Sequence, residues 1–145
     1  MKYISTLFVV IALLAVGTVN AQTASKLNGQ SYTYVMKDIN GNGPEIVDQI
    51  TFGVGKATSK ELGKTGFTTG KVVERNSGAS STFDITFTSA SKGTYVYTGT
   101  AAGTTLDGTI AVTSPSGKST MAFRGMLTEE WDNMMKEKEA ARQKK

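Results

Sequence analysis

The chain has 145 residues and contains no histidine and no cysteine. It therefore lacks the commonest general base, the thiol nucleophile and any disulfide, so the composition predicts a non-enzymatic protein without a cofactor, stabilised by packing and strand pairing. The formal net charge is +4, but basic residues are scattered among acidic ones. Because nucleic-acid recognition needs a dense basic stripe or patch, no nucleic-acid partner is predicted.

Residues 1–21 have the pattern of a cleaved signal peptide. Lys2 precedes an apolar run from Leu7 to Val16, and small or tolerated residues lead to a cleavage site before Gln22. The alternative, a transmembrane anchor, needs roughly 18 to 20 apolar residues, and this run is shorter. No cysteine follows the run, which argues against a lipid-anchored protein. We expect export to the periplasm or the extracellular space, with no transmembrane segment after cleavage.

From residue 22 to 127, short stretches alternate apolar and polar side chains and are separated by residues typical of turns. The stretches are 31–36, 46–52, 67–75, 82–88, 94–98, 105–112 and 120–124. A period of two indicates a strand with one buried face and one solvated face. Short connections favour an all-β, antiparallel up-and-down barrel of seven or eight strands. A two-sheet sandwich is the alternative.

After the predicted barrel, residues 128–145 form a different kind of segment. They contain no glycine or proline, and Thr128 is a suitable helix N-cap. Apolar or long side chains recur at helical spacing and predict a narrow stripe, formed by Trp131, Met134, Met135, Lys138 and Ala141. We expect a C-terminal α-helix whose stripe packs on the barrel wall and whose end frays. A membrane-bound or partner-bound helix is the alternative.

Four segments, "LNGQSY", "DQITFGVGK", "GTYVYTGTAAGTTLDGTI" and "MAFRGML", resemble in this order a group of small exported bacterial barrels of the lipocalin-like, or calycin-like, type. The hairpin from Tyr95 to Ile110 is the most specific part, because each of its three glycines after Tyr97 precedes a threonine. The resemblance covers roughly residues 27–127. The chain departs from true lipocalins in two ways. No Gly-x-Trp motif opens its first strand, and no disulfide is possible because it contains no cysteine. The resemblance implies a barrel fold and export, and it carries over no functional residue.

The stretch "KDINGNGPE", residues 37 to 45, begins like a calcium loop, with Asp38, Asn40 and Asn42 alternating before Gly43. A full loop ends with a bidentate glutamate at position twelve, and Gln49 stands there instead. Asn-Gly pairs are also strong hairpin signals. The stretch is therefore predicted to be a turn between strands, and the three residues are only a weak candidate for a metal site.

Aromatic side chains on the predicted inner faces suggest a binding site for a small, mostly apolar ligand or lipid. The candidate residues are Tyr32, Tyr34, Asp48, Phe52, Phe83, Phe87, Tyr95, Tyr97 and Phe123. Within this set, Asp48 is either an anchor for a ligand head group or a structural residue that pairs with Lys71 or Arg75 or lies near the rim; the structural interpretation is preferred. Small barrels are often filled by their own side chains. The alternative function is therefore a filled barrel acting as a structural or protein-interaction module of the cell envelope.

Overall fold

The computed structural model describes residues 24–144, so the predicted signal peptide lies outside the described residues. The elements in chain order are β1 (Ser31–Asp38), β2 (Ile46–Gly53), β3 (Lys56–Ser59), α1 (Lys60–Lys64), β4 (Gly70–Ser77), β5 (Ser80–Ser89), β6 (Gly93–Ala102), β7 (Thr105–Ser114), β8 (Gly117–Leu127) and α2 (Thr128–Gln143). The predicted all-β barrel with a C-terminal helix is confirmed, and it has eight strands.

The sheet closes on itself. Each strand pairs antiparallel with the next one, and β1 also pairs antiparallel with β8, from Tyr32 opposite Leu127 to Asp38 opposite Met121. Closure pairs both edges of the sheet, which would otherwise present unpaired backbone groups. It also brings the apolar faces of all eight strands into one core, so the two-sheet sandwich is excluded.

The segment that sequence reasoning missed is β3 with α1. β3 has only four residues, too few for its alternation to stand out, and α1 follows it directly. Ser59 is the last residue of β3 and the N-cap of α1. Its hydroxyl accepts a hydrogen bond from the Leu62 backbone N–H at 3.0 Å, which stabilises the first turn of the helix. A short helix is thereby fixed in the connection between β3 and β4.

Both ends of the barrel are covered by buried side chains. At one end, Leu62 and Phe67 from the β3–β4 connection join the core. At the other end, Leu27 precedes β1 and is buried, and the Gly29 backbone N–H donates to the Phe52 carbonyl at 2.9 Å. The core therefore extends from one covered end to the other.

α2 contacts the outer faces of β1 and β8. The prediction of Thr128 as N-cap is wrong: Leu127 occupies that position without a side-chain cap, and Thr128 is the first helical residue. The Thr128 hydroxyl instead lies 3.1 Å from Thr33 Oγ1 and accepts from Gln49 Nε2 at 3.2 Å. These wall contacts fix the start of the helix on the barrel.

The predicted stripe of α2 packs only in part. Trp131 and Met134 are half-buried, whereas Met135 is 47% exposed and Lys138 and Ala141 are exposed. No residue of α2 is buried. Within residues 24–144, no helix is both long enough and apolar enough to cross a membrane. The helix is thus attached at its start and leaves one side of its apolar face accessible.

Candidate functional site

All nine residues predicted to face the interior do so. Tyr95 is half-buried, and the other eight are buried. Their rings contact one another, with centroid distances of 5.4 Å between Phe52 and Phe83 and 5.6 Å between Phe87 and Tyr97. Phe123 joins the cluster at 5.8 Å from Tyr97. The aromatic side chains therefore pack on each other across the lumen, as expected for a barrel of eight strands.

Two inward-facing glycines allow the rings to approach the barrel wall. Gly99 on β6 and Gly108 on β7 are paired across the two strands. A Cβ atom on Gly99 would lie 2.7 Å from Phe83 Cζ, and one on Gly108 would lie 2.8 Å from Phe123 Cζ. The space that a methyl group would need at these positions is already occupied by aromatic rings, so the interior is filled at this level.

Asp48 is the centre of a buried polar network. Its Oδ2 atom accepts hydrogen bonds from the Tyr34 and Ser59 hydroxyls, both at 2.6 Å. Its Oδ1 atom accepts from the backbone N–H groups of Gln49 at 2.6 Å and Glu61 at 2.9 Å. The carboxylate therefore ties β1, β2, β3 and the first turn of α1 together.

The expected partners of Asp48 were wrong, although the structural interpretation of the residue fits its contacts. Lys71 and Arg75 are exposed, because the inner face of β4 is formed by Gly70, Val72 and Glu74. Arg75 instead donates to Asp84 Oδ2 at 2.7 Å on the outer surface. This bond, and a second one from Thr98, lower the pKa of the Asp84 carboxyl group.

Two tyrosines next to Asp48 keep their protons. Burial raises the pKa of Tyr34 far above its usual range, and Tyr97 and Asp48 raise it further. Burial also raises the pKa of Tyr97, whose hydroxyl oxygen lies 3.1 Å from that of Tyr34. Because Tyr34 donates its only proton to Asp48, Tyr97 donates to Tyr34. The network is a directed chain of hydrogen bonds that ends on the carboxylate.

The stretch from residue 37 to 45 connects β1 and β2. The Asp38 carboxylate accepts a hydrogen bond from the Asn40 backbone N–H at 2.8 Å, and the Gly41 N–H donates to the Asp38 carbonyl at 2.9 Å. Gly41 and Gly43 have φ angles of +75° and +89°, which favour glycine. Asp38 therefore holds a local turn of the kind that Asp and Asn form with the backbone two residues on.

We expect calcium to leave this turn unchanged. Addition of calcium chloride should not shift the thermal unfolding midpoint, whereas Asp38→Ala should lower the free energy of unfolding by about 1 kcal/mol through loss of the turn hydrogen bond. Differential scanning calorimetry of both proteins, with calcium or with a chelator, measures this. A stabilisation by calcium that disappears in Asp38→Ala would instead establish a metal site at Asp38, Asn40 and Asn42.

Trp131 of α2 lines two of the clefts on the outside of the barrel. One has a volume of about 400 Å³ and is mainly polar, and we call it the polar cleft. It lies between α2, α1 and the wall of β1 and β2, and its lining residues are Thr33, Val47, Asp48, Gln49, Lys60, Glu61, Lys64, Thr128, Trp131 and Asp132. Lys64 is paired there with Glu61 at 2.5 Å.

The other cleft, which we call the α2 groove, has a volume of about 570 Å³. It lies between α2 and the outer wall of β7 and β8, and its lining residues are Thr105, Leu106, Asp107, Arg124, Gly125, Met126, Trp131, Met134 and Lys138. Arg124 and Met126 were missed as site residues. An apolar side chain on the outer face of β8, next to an apolar helical stripe, is the signal that could have located the groove.

Comparison of the chain with family models, with curated proteins and with solved structures finds no match.

Proposed function

We propose that this chain is an exported binding module in which the barrel is a filled scaffold and the ligand is held outside the lumen, beside α2. The observation that carries this proposal is the packing of the aromatic rings on one another and against the glycines of the wall. Packed side chains of this kind leave a ligand no space without displacement of the core. A rigid core is also a suitable support for a site on its surface.

The shape of the surface beside α2 supports its assignment as the binding site. The polar cleft and the α2 groove flank the same tryptophan, and their volumes of about 400 and 570 Å³ are in the range of small-molecule sites, roughly 300–1,000 Å³. Tryptophan with one accessible side is a frequent anchor of binding surfaces. The half-buried Trp131 is thus the centre of the proposed site.

Two further parts of the proposal rest on the amino-acid sequence. Export, and kinship with the lipocalin-like barrels, are supported by the signal-like residues 1–21 and by the hairpin pattern from Tyr95 to Ile110. Binding is preferred over catalysis because the chain contains no histidine and no cysteine. A structural role in the cell envelope, with a protein as the ligand, uses the same surface.

A second candidate function is the binding of a small apolar ligand at the end of the lumen. A cavity of about 210 Å³ lies there beside Leu27, Tyr32, Ala101 and Leu127. A ligand in this cavity would lie against Leu27 and the ring of Tyr32, which was predicted to contact a ligand. The closed barrel is compatible with such a site, but the cavity is smaller than a typical small-molecule site.

Methyl NMR distinguishes the two candidate functions. The mature protein is labelled at methionine and leucine methyl groups and titrated with a lipid extract of the cells that produce it. We expect the signals of Met126 and Met134 to shift while those of Leu27 and Leu127, which line the cavity at the end of the lumen, stay unchanged. Shifts confined to these two leucines would support the lumen ligand and overturn the surface proposal. The absence of any shift beside α2 would also overturn the surface proposal.

A further inference from the structure

The α2 groove has apolar walls, and more basic than acidic side chains line it. Its apolar part includes Leu106 and Met126 on the barrel and Trp131 and Met134 on the helix. Methionine side chains are flexible and polarisable, so they adapt to apolar ligands of irregular shape, and a tryptophan ring offers a large contact area. Trp131 and Met134 are only half-buried although they face the barrel, so a ligand in the groove would cover apolar surface that is now accessible to water.

Two basic side chains line the same groove, Arg124 from β8 and Lys138 from α2. The one acidic residue among its lining residues is Asp107, which stands opposite Arg124 in the pairing of β7 with β8. Among residues 24–144, neither Arg124 nor Lys138 forms an ion pair within 4.0 Å. This holds for Arg124 even though Asp107 is its partner in the strand pairing. The groove therefore has a net positive charge, and its guanidinium group is available to a carboxylate ligand.

We propose that the α2 groove binds a single-chain amphiphilic anion as a monomer. Its carboxylate lies between Arg124 and Lys138, and its alkyl chain lies on Met126, Trp131 and Met134. This inference rests on the proposed function, because it places a defined chemical class in the surface site. Charge complementarity selects an anionic head group over a cationic one, and the aliphatic stems of the two basic side chains extend the apolar surface toward it.

The geometry favours a monomer over a membrane surface. The groove is concave and lies between a helix and a barrel wall, whereas a membrane-binding helix presents its apolar face outward. Residues 128–145 also carry equal numbers of acidic and basic side chains, which gives no attraction to an anionic bilayer. One alkyl chain fits such a groove, while a lipid surface would contact only its rim.

The single tryptophan of the chain is Trp131, which lines the α2 groove and the polar cleft, so its fluorescence reports on these two clefts and the variants below assign the change to one of them. The full mature protein is titrated at neutral pH with decanoate and, separately, with decyltrimethylammonium, which has the same chain length and opposite charge; both are kept below their micelle concentrations. We expect a saturable change with decanoate and an affinity about tenfold higher than for the cation, as one charge-assisted hydrogen bond would give.

Variants test the role of each basic side chain. Arg124→Gln and Lys138→Gln should each weaken decanoate binding about fivefold to tenfold. The double variant keeps Asp107 in the groove lining and should lose the preference for decanoate over the cation. Lys136→Gln is the matched control, because Lys136 is an exposed lysine of α2 outside the groove lining and should leave the affinity unchanged. Urea denaturation of each variant checks that the fold is retained.

Three results would overturn the inference. Equal affinities of the unmodified protein for the two probes would exclude selection by charge, and an equal effect of Lys136→Gln would exclude a defined site. A fluorescence change with anionic phospholipid vesicles but not with decanoate would identify a membrane surface instead of a monomer. In each of these cases, a shift of the Met126 and Met134 methyl signals with the lipid extract would still support surface binding, so the two proposals fail separately.

Discussion

Asp48→Ala should lower the free energy of unfolding by about 3–5 kcal/mol, as expected when one partner of a buried, hydrogen-bonded charge is removed. The carboxylate accepts four hydrogen bonds, two from side chains and two from the backbone. Its loss leaves the hydroxyls of Tyr34 and Ser59 and the N–H groups of Gln49 and Glu61 without this acceptor. A buried donor without a partner is destabilising by about 1–3 kcal/mol. Urea denaturation followed by circular dichroism measures the change.

Two further variants make the result specific. Asp48→Asn retains the volume but replaces one acceptor oxygen with a donor group, so we expect a loss of about 2 kcal/mol. Asp84→Ala is the control, since Asp84 is paired with Arg75 at the surface, where such pairs contribute below about 1 kcal/mol. Equal effects of Asp48→Ala and Asp84→Ala would contradict the assignment of Asp48 as the buried centre of the network.

Gly108→Ala should lower the free energy of unfolding by about 3 kcal/mol, at the upper end of the usual effect of overpacking. The new Cβ atom would lie 2.2 Å from the Thr98 carbonyl oxygen and 2.8 Å from Phe123 Cζ. The backbone oxygen belongs to the paired strand β6, so the ring and the strand would both have to move. The same denaturation experiment measures this effect.

Two other glycines provide a graded comparison. Gly70→Ala should be destabilising by about 1–3 kcal/mol, because its new Cβ would lie within 3.0 Å of side-chain atoms of Ile85 and Phe87 alone. Gly63→Ala is the control: Gly63 lies in α1 with nothing within 4 Å of its Cβ position, and we expect a gain of about 0.5–1 kcal/mol. If Gly108→Ala and Gly70→Ala both behaved like Gly63→Ala, the lumen would contain free space and the filled-scaffold proposal would lose its support.

Much of the fold could be predicted from the sequence, because each long strand repeats its inner and outer residues often enough to show the period of two. β5, for example, alternates without a break around Phe83, Ile85 and Phe87. β3 and α1 could not be predicted, since four and five residues contain too few repeats of either period. The inner face of β4 was also misjudged: Lys71 and Arg75 were predicted to reach Asp48, but they alternate with the inward-facing Gly70, Val72 and Glu74 and are exposed.

The candidate site was less accessible to sequence reasoning than the fold. Alternation identified the residues that face inward, but whether they line a cavity or fill it depends on three-dimensional contacts between rings and on glycines in neighbouring strands. Asp48 was placed on a predicted inner face with its role left open, while its partners come from three other elements and include backbone N–H groups that no residue pattern reveals. The α2 groove depends on where the helix crosses the wall, which side-chain periodicity does not specify.

The pairing of β1 with β8 has a consequence for the order in which the chain folds. These strands are the first and the last of the barrel, so the closing ladder joins residues from opposite ends of the domain. Contacts of this kind form slowly, because the loop between them must be closed before they contribute. The hairpins from β4 to β8 can form early, but the barrel cannot close until Leu127 has left the ribosome. The barrel therefore stays open until its last strand has been made.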